Sequence, residues 1–273
     1  MYLVIIKNGK VIDHRKQGLK LLSFKIDSLS HRTEWQEIDG RHGSIDMGTT
    51  FDIRKPKAVF LLQGEDHLDY NLLISEAYEL FSTEDEIEII DSRQPGKVWS
   101  VKVSSVFEPE DITPRSGKLT IEFTAAFPFA SSLGSTLDPL TFDSGKWQVA
   151  QGMLPSDDLS YRHKTAHFRI FNAGNVTIDP SMDMPLNIQY KGASNNLVIK
   201  NKTSNQMVSY TKKTGSSDVI KLEGLRHLKN GISIYADTNR GYINLLPGWN
   251  TFELTGTMSN FEIEFDFYFF YRG

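Results

Sequence analysis

From Phe261 to Tyr271 the chain alternates with a period of two: Phe261, Ile263, Phe265, Phe267, Phe269 and Tyr271 fall on one parity, and Glu262, Glu264 and Asp266 on the other. Successive side chains of a strand point to opposite sides, so only a β-strand gives this stretch one apolar face. Strands of this pattern are mostly sheet-core elements, so the aromatic ladder is expected to pack and not to stack on sugars. From Tyr268 to Tyr271 both parities are aromatic. Both faces there call for cover, which a neighbouring subunit could supply.

The region before the ladder has the same character. Apolar runs at 167–171, 186–190, 197–200, 207–211, 219–222, 232–235, 242–245 and 251–254 recur about every ten residues, with no helix-period stretch among them. Asn195-Asn196, Thr214-Gly215, Asn230-Gly231 and Pro247-Gly248 supply turn residues between them. Short strands at this spacing imply a β-sandwich or jelly roll.

The first half reads as strands with one helix among them. Residues 1–7 and 10–14 flank Asn8-Gly9, a dipeptide suited to a tight hairpin. An apolar run follows at 53–62. Over 68–81 the period changes, and Leu73, Ala77, Leu80 and Phe81 share a helical face behind the potential N-cap Asp66. Residues 86–90 and 98–107 bracket the turn Gln94-Pro95-Gly96. Over 118–127, Leu119, Ile121 and Phe123 alternate with polar neighbours until Pro128. Residues 131–160 are rich in Ser, Gly, Asp and Pro, with Leu140, Phe142 and Trp147 as isolated apolar positions, and read as a connection. At 273 residues the chain exceeds one ordinary core. The expected division is a domain over 1–135, a connecting segment over 136–160 and a β-sandwich over 161–273, in a mainly β protein.

Composition excludes several classes of function. A net charge of −4, with no dense Lys/Arg run, gives no field for nucleic acid. The absence of cysteine removes disulfides, thiolate metal sites and cysteine nucleophiles. The apolar stretch Met1 to Ile6 is interrupted by Lys7, far short of a membrane span, and reads as a strand. The glycosylation triplets at Asn175 and Asn201 carry no weight without a secretory signal.

No phosphate loop, dinucleotide-binding glycine pattern or nucleophile elbow is present, so neither an enzyme nor a cofactor is expected. His163 and His167 would converge on a metal from a helix, but on a strand they lie about 13 Å apart at about 3.3 Å per residue. Asp237-Thr-Asn239-Arg-Gly241 begins like a calcium loop, yet Gly248 stands where the bidentate Glu belongs. Glu84-Asp85-Glu86 reads as solvated loop charge. The best small-ligand candidate is Trp249 with Tyr242 and Arg240, where an aromatic face and a guanidinium could receive a glycan.

Three passages resemble the distal tail (Dit) proteins of long-tailed phages that infect Gram-positive bacteria. Trp35-Gln-Glu-Ile-Asp39-Gly40-Arg41-His-Gly43-Ser-Ile-Asp46 is similar to the family's short glycine-aspartate loop, with His42 where the family has an acidic residue. The hairpin, helix and 118–128 strand are similar to its tail-tube-like first domain. Asp218-Val-Ile220, Lys229-Asn-Gly231 and Leu245-Leu-Pro247-Gly-Trp249-Asn250-Thr-Phe252 are similar to the turns and strands of its second domain.

The resemblance implies a homohexameric ring at the distal end of the tail, assembled in the host cytoplasm, with first domains forming the ring and galectin-like or carbohydrate-module-like second domains projecting from it. The ring would join the tail tube protein to the tail-associated tip protein and the host-adsorption apparatus. Asp39, Gly40, Arg41, Gly43 and Asp46 would then belong to a structural loop at a subunit interface. A receptor-binding protein or host wall glycan could dock on the second domain. The competing expectation is a carbohydrate-binding adhesin that recognises cell-wall polysaccharide.

Overall fold

The computed structural model describes residues 1–141, 145–148, 151–152, 159–258 and 260–273. The chain divides into two compact units, residues 1–130 with 272–273, and residues 131–271.

The first unit opens with β1 (Leu3–Lys7) and β2 (Lys10–Ile12), joined by the expected turn. Asn8 and Gly9 both take positive φ, 52° and 72°, as the twist of a two-residue hairpin demands. A 3-10 turn at His14–Gln17 leads to β3 (Leu19–Lys25), followed by β4 (His31–Glu37), β5 (Ser44–Phe51) and β6 (Lys57–Gln63). Helix α1 (His67–Phe81) is capped by Asp66, whose Oδ1 accepts from the amides of Leu68 and Asp69. Strands β7 (Ile87–Asp91), β8 (Lys97–Val103), β9 (Pro109–Thr113) and β10 (Ser116–Thr124) complete the unit.

The sheet runs β2-β1-β7-β8-β10-β6-β3, with β9 beside β10. Its core comes from buried residues of β1, β3, β6, β7, β8 and β10, including Leu3, Ile5, Phe60, Leu62, Ile121 and Phe123, while β2 and β9 bury none. Helix α1 adds Ala77, Leu80 and Phe81. The helical face read from sequence omits Tyr70, which is buried with its hydroxyl donating to Asp111 at 2.7 Å.

The second unit takes in β11 (Ala130–Ser132) from Ser131 onward, where Ser132 N donates to Phe269 O at 2.8 Å. It continues with β12 (Arg162–His163), β13 (His167–Asn172), β14 (Leu186–Lys191), β15 (Ser194–Asn201), β16 (Gln206–Thr214), β17 (Val219–Glu223), β18 (Arg226–Lys229), β19 (Ile232–Ser233), β20 (Gly248–Thr257), β21 (Glu262–Phe267) and β22 (Phe270–Tyr271). One sheet has the order β12-β21-β14-β17-β18-β19 and the other β13-β20-β15-β16. Their inner faces meet where Phe265 of β21 contacts Phe252 at 4.8 Å and Phe168 at 5.8 Å between ring centroids. The fold is mainly β, as the period-two patterns require.

Three local readings change. Asn195-Asn196 is not a turn between strands but a bulge inside β15, with Asn196 at φ 52° and the register shifting beside it. The 242–245 run forms no strand; Leu245 only bridges Ile178. The described residues of the 131–160 segment pack as part of the second unit. Thr136 is buried, and its hydroxyl donates to Phe265 O and accepts from Phe267 N. Trp147 is buried against Phe269 at 5.8 Å, and Phe142 lies outside the described residues. Single apolar residues among turn formers give no periodicity, although each can fill a place in a core.

The ladder itself is core. Ile263, Phe265, Phe267, Phe269 and Tyr271 are all buried within the chain, so no neighbouring subunit is needed to cover them, while Tyr268 remains partly exposed.

Candidate assembly interface

Strands β4 and β5 pair with each other and with no other strand among the described residues. They form a ribbon of 15 strand residues in which no side chain is buried. Trp35 is 63% exposed, Met47 58% and Ile38 45%. A lone two-stranded hairpin is at best marginally stable in water, since it has neither a third strand nor a buried face. What holds this one is its ladder, the Thr33–Thr49 hydroxyl contact of 2.8 Å, and its root.

The expected structural loop is the end of this ribbon. Asp39, Gly40, Arg41 and Gly43 lie in its turn, closed by Arg41 N donating to Ile38 O at 3.1 Å. Gly40 and Gly43 hold φ of 79° and 78°, which an L side chain would strain. Asp46 lies on β5 opposite Trp35, and its Oδ1 accepts from Gly48 N at 2.8 Å where the register shifts. The five residues are thus brought together on an exposed tip and flank. The loop is legible in the sequence but the strands beside it are not, because β4 carries one large apolar residue, Trp35, and the alternation of β5 through Ile45 and Met47 stops at Gly48.

At the root, Asp52 N donates to Ser30 O at 2.9 Å. Below it lies Arg54, which the sequence reading did not single out. The residue is 5% exposed, and its guanidinium donates to main-chain carbonyls alone: Asp27 O from Nε at 2.9 Å and also from Nη2, and Arg272 O at 2.5 Å and Pro128 O at 3.5 Å from Nη1. It also stands over the Trp99 ring at 4.9 Å. Burial pulls its pKa below the usual value, and Asp27 partly offsets this. Beside it is a cavity of about 360 Å³ bordered by Phe24, Asp91, Arg93, Lys97 and Trp99. Arg93 closes on Asp91 at 2.6 Å, and the Lys97 amine donates to Gly273 O.

The glycan candidates have different aromatic and cationic neighbours. Trp249 is 39% exposed on β20, and its neighbours are Phe171 at 4.9 Å and the guanidinium of Arg169, which stands over the indole at 4.4 Å. Arg240, held at φ 56°, stands instead over Tyr235 at 5.9 Å, and Tyr242 is half-buried. The residues that share Trp249's surface come from β13, a strand far away in sequence, so adjacency along the chain could not reveal them.

Asn250, next in the chain, is fully buried and bonds Leu246 N, Leu246 O, Gly248 O and Asn201 Nδ2. The 245–252 motif is therefore built around a buried amide that shapes its own turn.

Several of the remaining candidates have structural partners. His163 stacks on Phe168 at 4.4 Å and bonds Ser160 O, and Asp237 pairs with Lys212 at 2.8 Å. Asp85 accepts from Asn8 Nδ2 at 3.2 Å. Among the described residues no three His, Cys, Asp or Glu side chains are grouped to hold a metal, and no helix is long and apolar enough to cross a membrane.

Comparison with known proteins bears on both units. Residues 12–125 match the family model of the phage tail protein RIFT-related domain. No curated protein matches the sequence. Among solved structures, the Dit protein of phage SPP1, described as a paradigm of the hub adsorption apparatus in phages infecting Gram-positive bacteria, aligns with a TM-score of 0.69. The identity is 12%, over 98% of this chain and 100% of that one. A chain of the phage p2 baseplate in its activated conformation with Sr aligns at a TM-score of 0.42 and 10% identity, over 97% of each chain, too distant to support an argument. Residues 12–125 are thus similar to the phage tail protein RIFT-related domain, and the chain as a whole has the fold of the SPP1 Dit protein.

Proposed function

We propose that the protein is the hub of the tail tip: six copies close into a ring through their first units and join the tail tube protein to the tail-associated tip protein and the host-adsorption apparatus. The observation that carries this reading is the β4–β5 ribbon. It offers Trp35, Ile38 and Met47 to solvent from a two-stranded element that buries nothing of its own. A ring gives every copy the same neighbours, so one head-to-tail pair of different, mutually complementary surfaces covers every ribbon at once. The fold shared with a protein described as a hub supports the same role. In this reading residues 1–135 are the tail-tube-like, ring-forming part. Asp39, Gly40, Arg41, Gly43 and Asp46 lie at the subunit contact, and the sandwich is a galectin-like domain that projects from the ring.

Light scattering on the full chain across a wide concentration range tests this, since a ring held by mass action dissociates on dilution. The expected result is a species of six times the 31.0 kDa chain mass, alone or on adding tip protein. A chain that stays monomeric throughout, with tip protein present, overturns the proposal.

A further inference from the structure

The ribbon raises a mechanical question. An element with no packed face cannot fix its own direction, yet a contact surface that must meet a neighbour has to be aimed. Asp27 lies just before β4 and Arg54 just after β5, so these two residues stand on the two legs by which the ribbon joins its unit. Arg54 ties them together through two donors to Asp27 O. Its third nitrogen ties both legs to segments distant in sequence, through Pro128 O and Arg272 O.

The main chain of Arg54 is fixed as well. It bridges Ala125, with Arg54 N donating to Ala125 O at 3.1 Å and Ala125 N to Arg54 O at 2.9 Å. Above this point lies an aromatic collar. Phe51, the last residue of β5, contacts His31 at 5.1 Å and Phe129 at 5.6 Å, and the Arg272 guanidinium stands over it at 5.8 Å.

From this geometry we infer that Arg54 is a positioning residue that locks the ribbon at one angle to its sheet, with Arg272 as the part of the lock contributed from the far end of the sequence. Planarity is what suits arginine to this role. Its fork presents donors on three nitrogens in fixed directions, whereas the three donors of a lysine ammonium sit on one nitrogen and reach only carbonyls that converge on a single point. Bonds from a charged donor also hold more firmly than neutral ones. The consequence for assembly rests on the ring reading, while the lock itself does not.

Because the chain has no cysteine, spin labels can be placed freely. Gln36→Cys on the ribbon and Lys118→Cys on β10 form the reporting pair, measured by pulsed dipolar spectroscopy after dilution with unlabelled chain. The parent is expected to give one narrow distance distribution. Arg54→Gln, Arg54→Lys and a chain ended after Tyr271 are each expected to broaden it at least about twofold while the cooperative unfolding transition persists.

An unchanged width in both Arg54 variants overturns the inference. So does loss of folding in both, since Arg54 would then serve the core and not the ribbon. A narrow parent distribution in a chain that never forms a ring leaves the lock standing and removes the ring. Loose ribbons in rings that still assemble at parental concentrations would show that aiming is not needed for assembly.

Discussion

Strand β21 and the β4–β5 ribbon are both regular antiparallel structure, yet they use it in opposite ways. In β21 one parity of side chains is removed from water against a facing sheet, and the strand is held by its faces. In the ribbon neither parity is buried, and the element is held by its ladder, its turn and its root. The difference teaches that the hydrogen-bond ladder does not by itself decide how firmly a strand is placed. Its net contribution is modest because water competes for the same groups, and burial supplies the rest.

Three measurements would sharpen or break this comparison. The largest effect is expected in the ladder: Phe265→Ala leaves a void between Phe168 and Phe252 and should destabilise the second unit by about 3–5 kcal/mol. Denaturant unfolding followed by the aromatic signal of that unit reads it directly. A loss under about 1 kcal/mol would mean that the sandwich core collapses around the gap and that its faces are not what hold β21.

A smaller effect belongs to the first unit. His14 is fully buried, accepts from Leu3 N at 3.1 Å through Nε2 and meets Leu19 O at 2.6 Å through Nδ1, the arrangement of a neutral imidazole. Burial lowers its pKa from the ordinary 6.5, and the bond to Leu19 O offsets only part of this. The unfolded chain therefore binds the proton first as pH falls. The stabilisation is complete above about 6.5 and is lost as pH drops through the lower folded value. Urea midpoints at pH 7.5 and 5.5 should differ, and His14→Gln should shrink the difference. His163 and His227 are lowered by burial too, so a residual slope is expected from the second unit. An identical slope in parent and variant would remove His14 from this account.

The smallest effect on stability is expected in the ribbon. Trp35→Ala at low concentration should change unfolding of the single chain by less than about 0.5 kcal/mol, as exposed positions without partners do. A loss above about 2 kcal/mol would show that the indole is packed within its own chain. The contrast with β21 would then disappear.

How much of this was legible along the chain varied from residue to residue for physical reasons. The ladder 261–271 announced β21 over 262–267 because alternation with period two is the mark of a strand, but its end leaves that strand at 268–269 and forms the separate β22, where both parities are aromatic and the alternation is lost. Helix α1 announced itself through Ala77, Leu80 and Phe81 and through Asp66, a cap whose chemistry is local. The ribbon did not, because a strand that buries nothing carries no hydrophobic signature, and only its Asp39 to Gly43 turn was visible. Strand β18, Arg226–Lys229, was missed for a related reason: Leu228 stands among charged and polar neighbours. Asn195-Asn196 was misread because the residues that favour a turn also favour a bulge.

The sequence by itself determined the mainly β class, the one amphipathic helix, the hairpin at Asn8-Gly9 and the absence of the usual catalytic motifs, since each depends on residues within a few positions of one another. Only the tertiary structure decided that 131–141 joins the sandwich and that Trp249 packs with Arg169 and Phe171. The root of the ribbon is likewise set there, by a guanidinium that gathers carbonyls from residues 27, 128 and 272. Such contacts join main-chain groups that every residue carries, so no side-chain pattern encodes them and only the folded path of the chain brings them together.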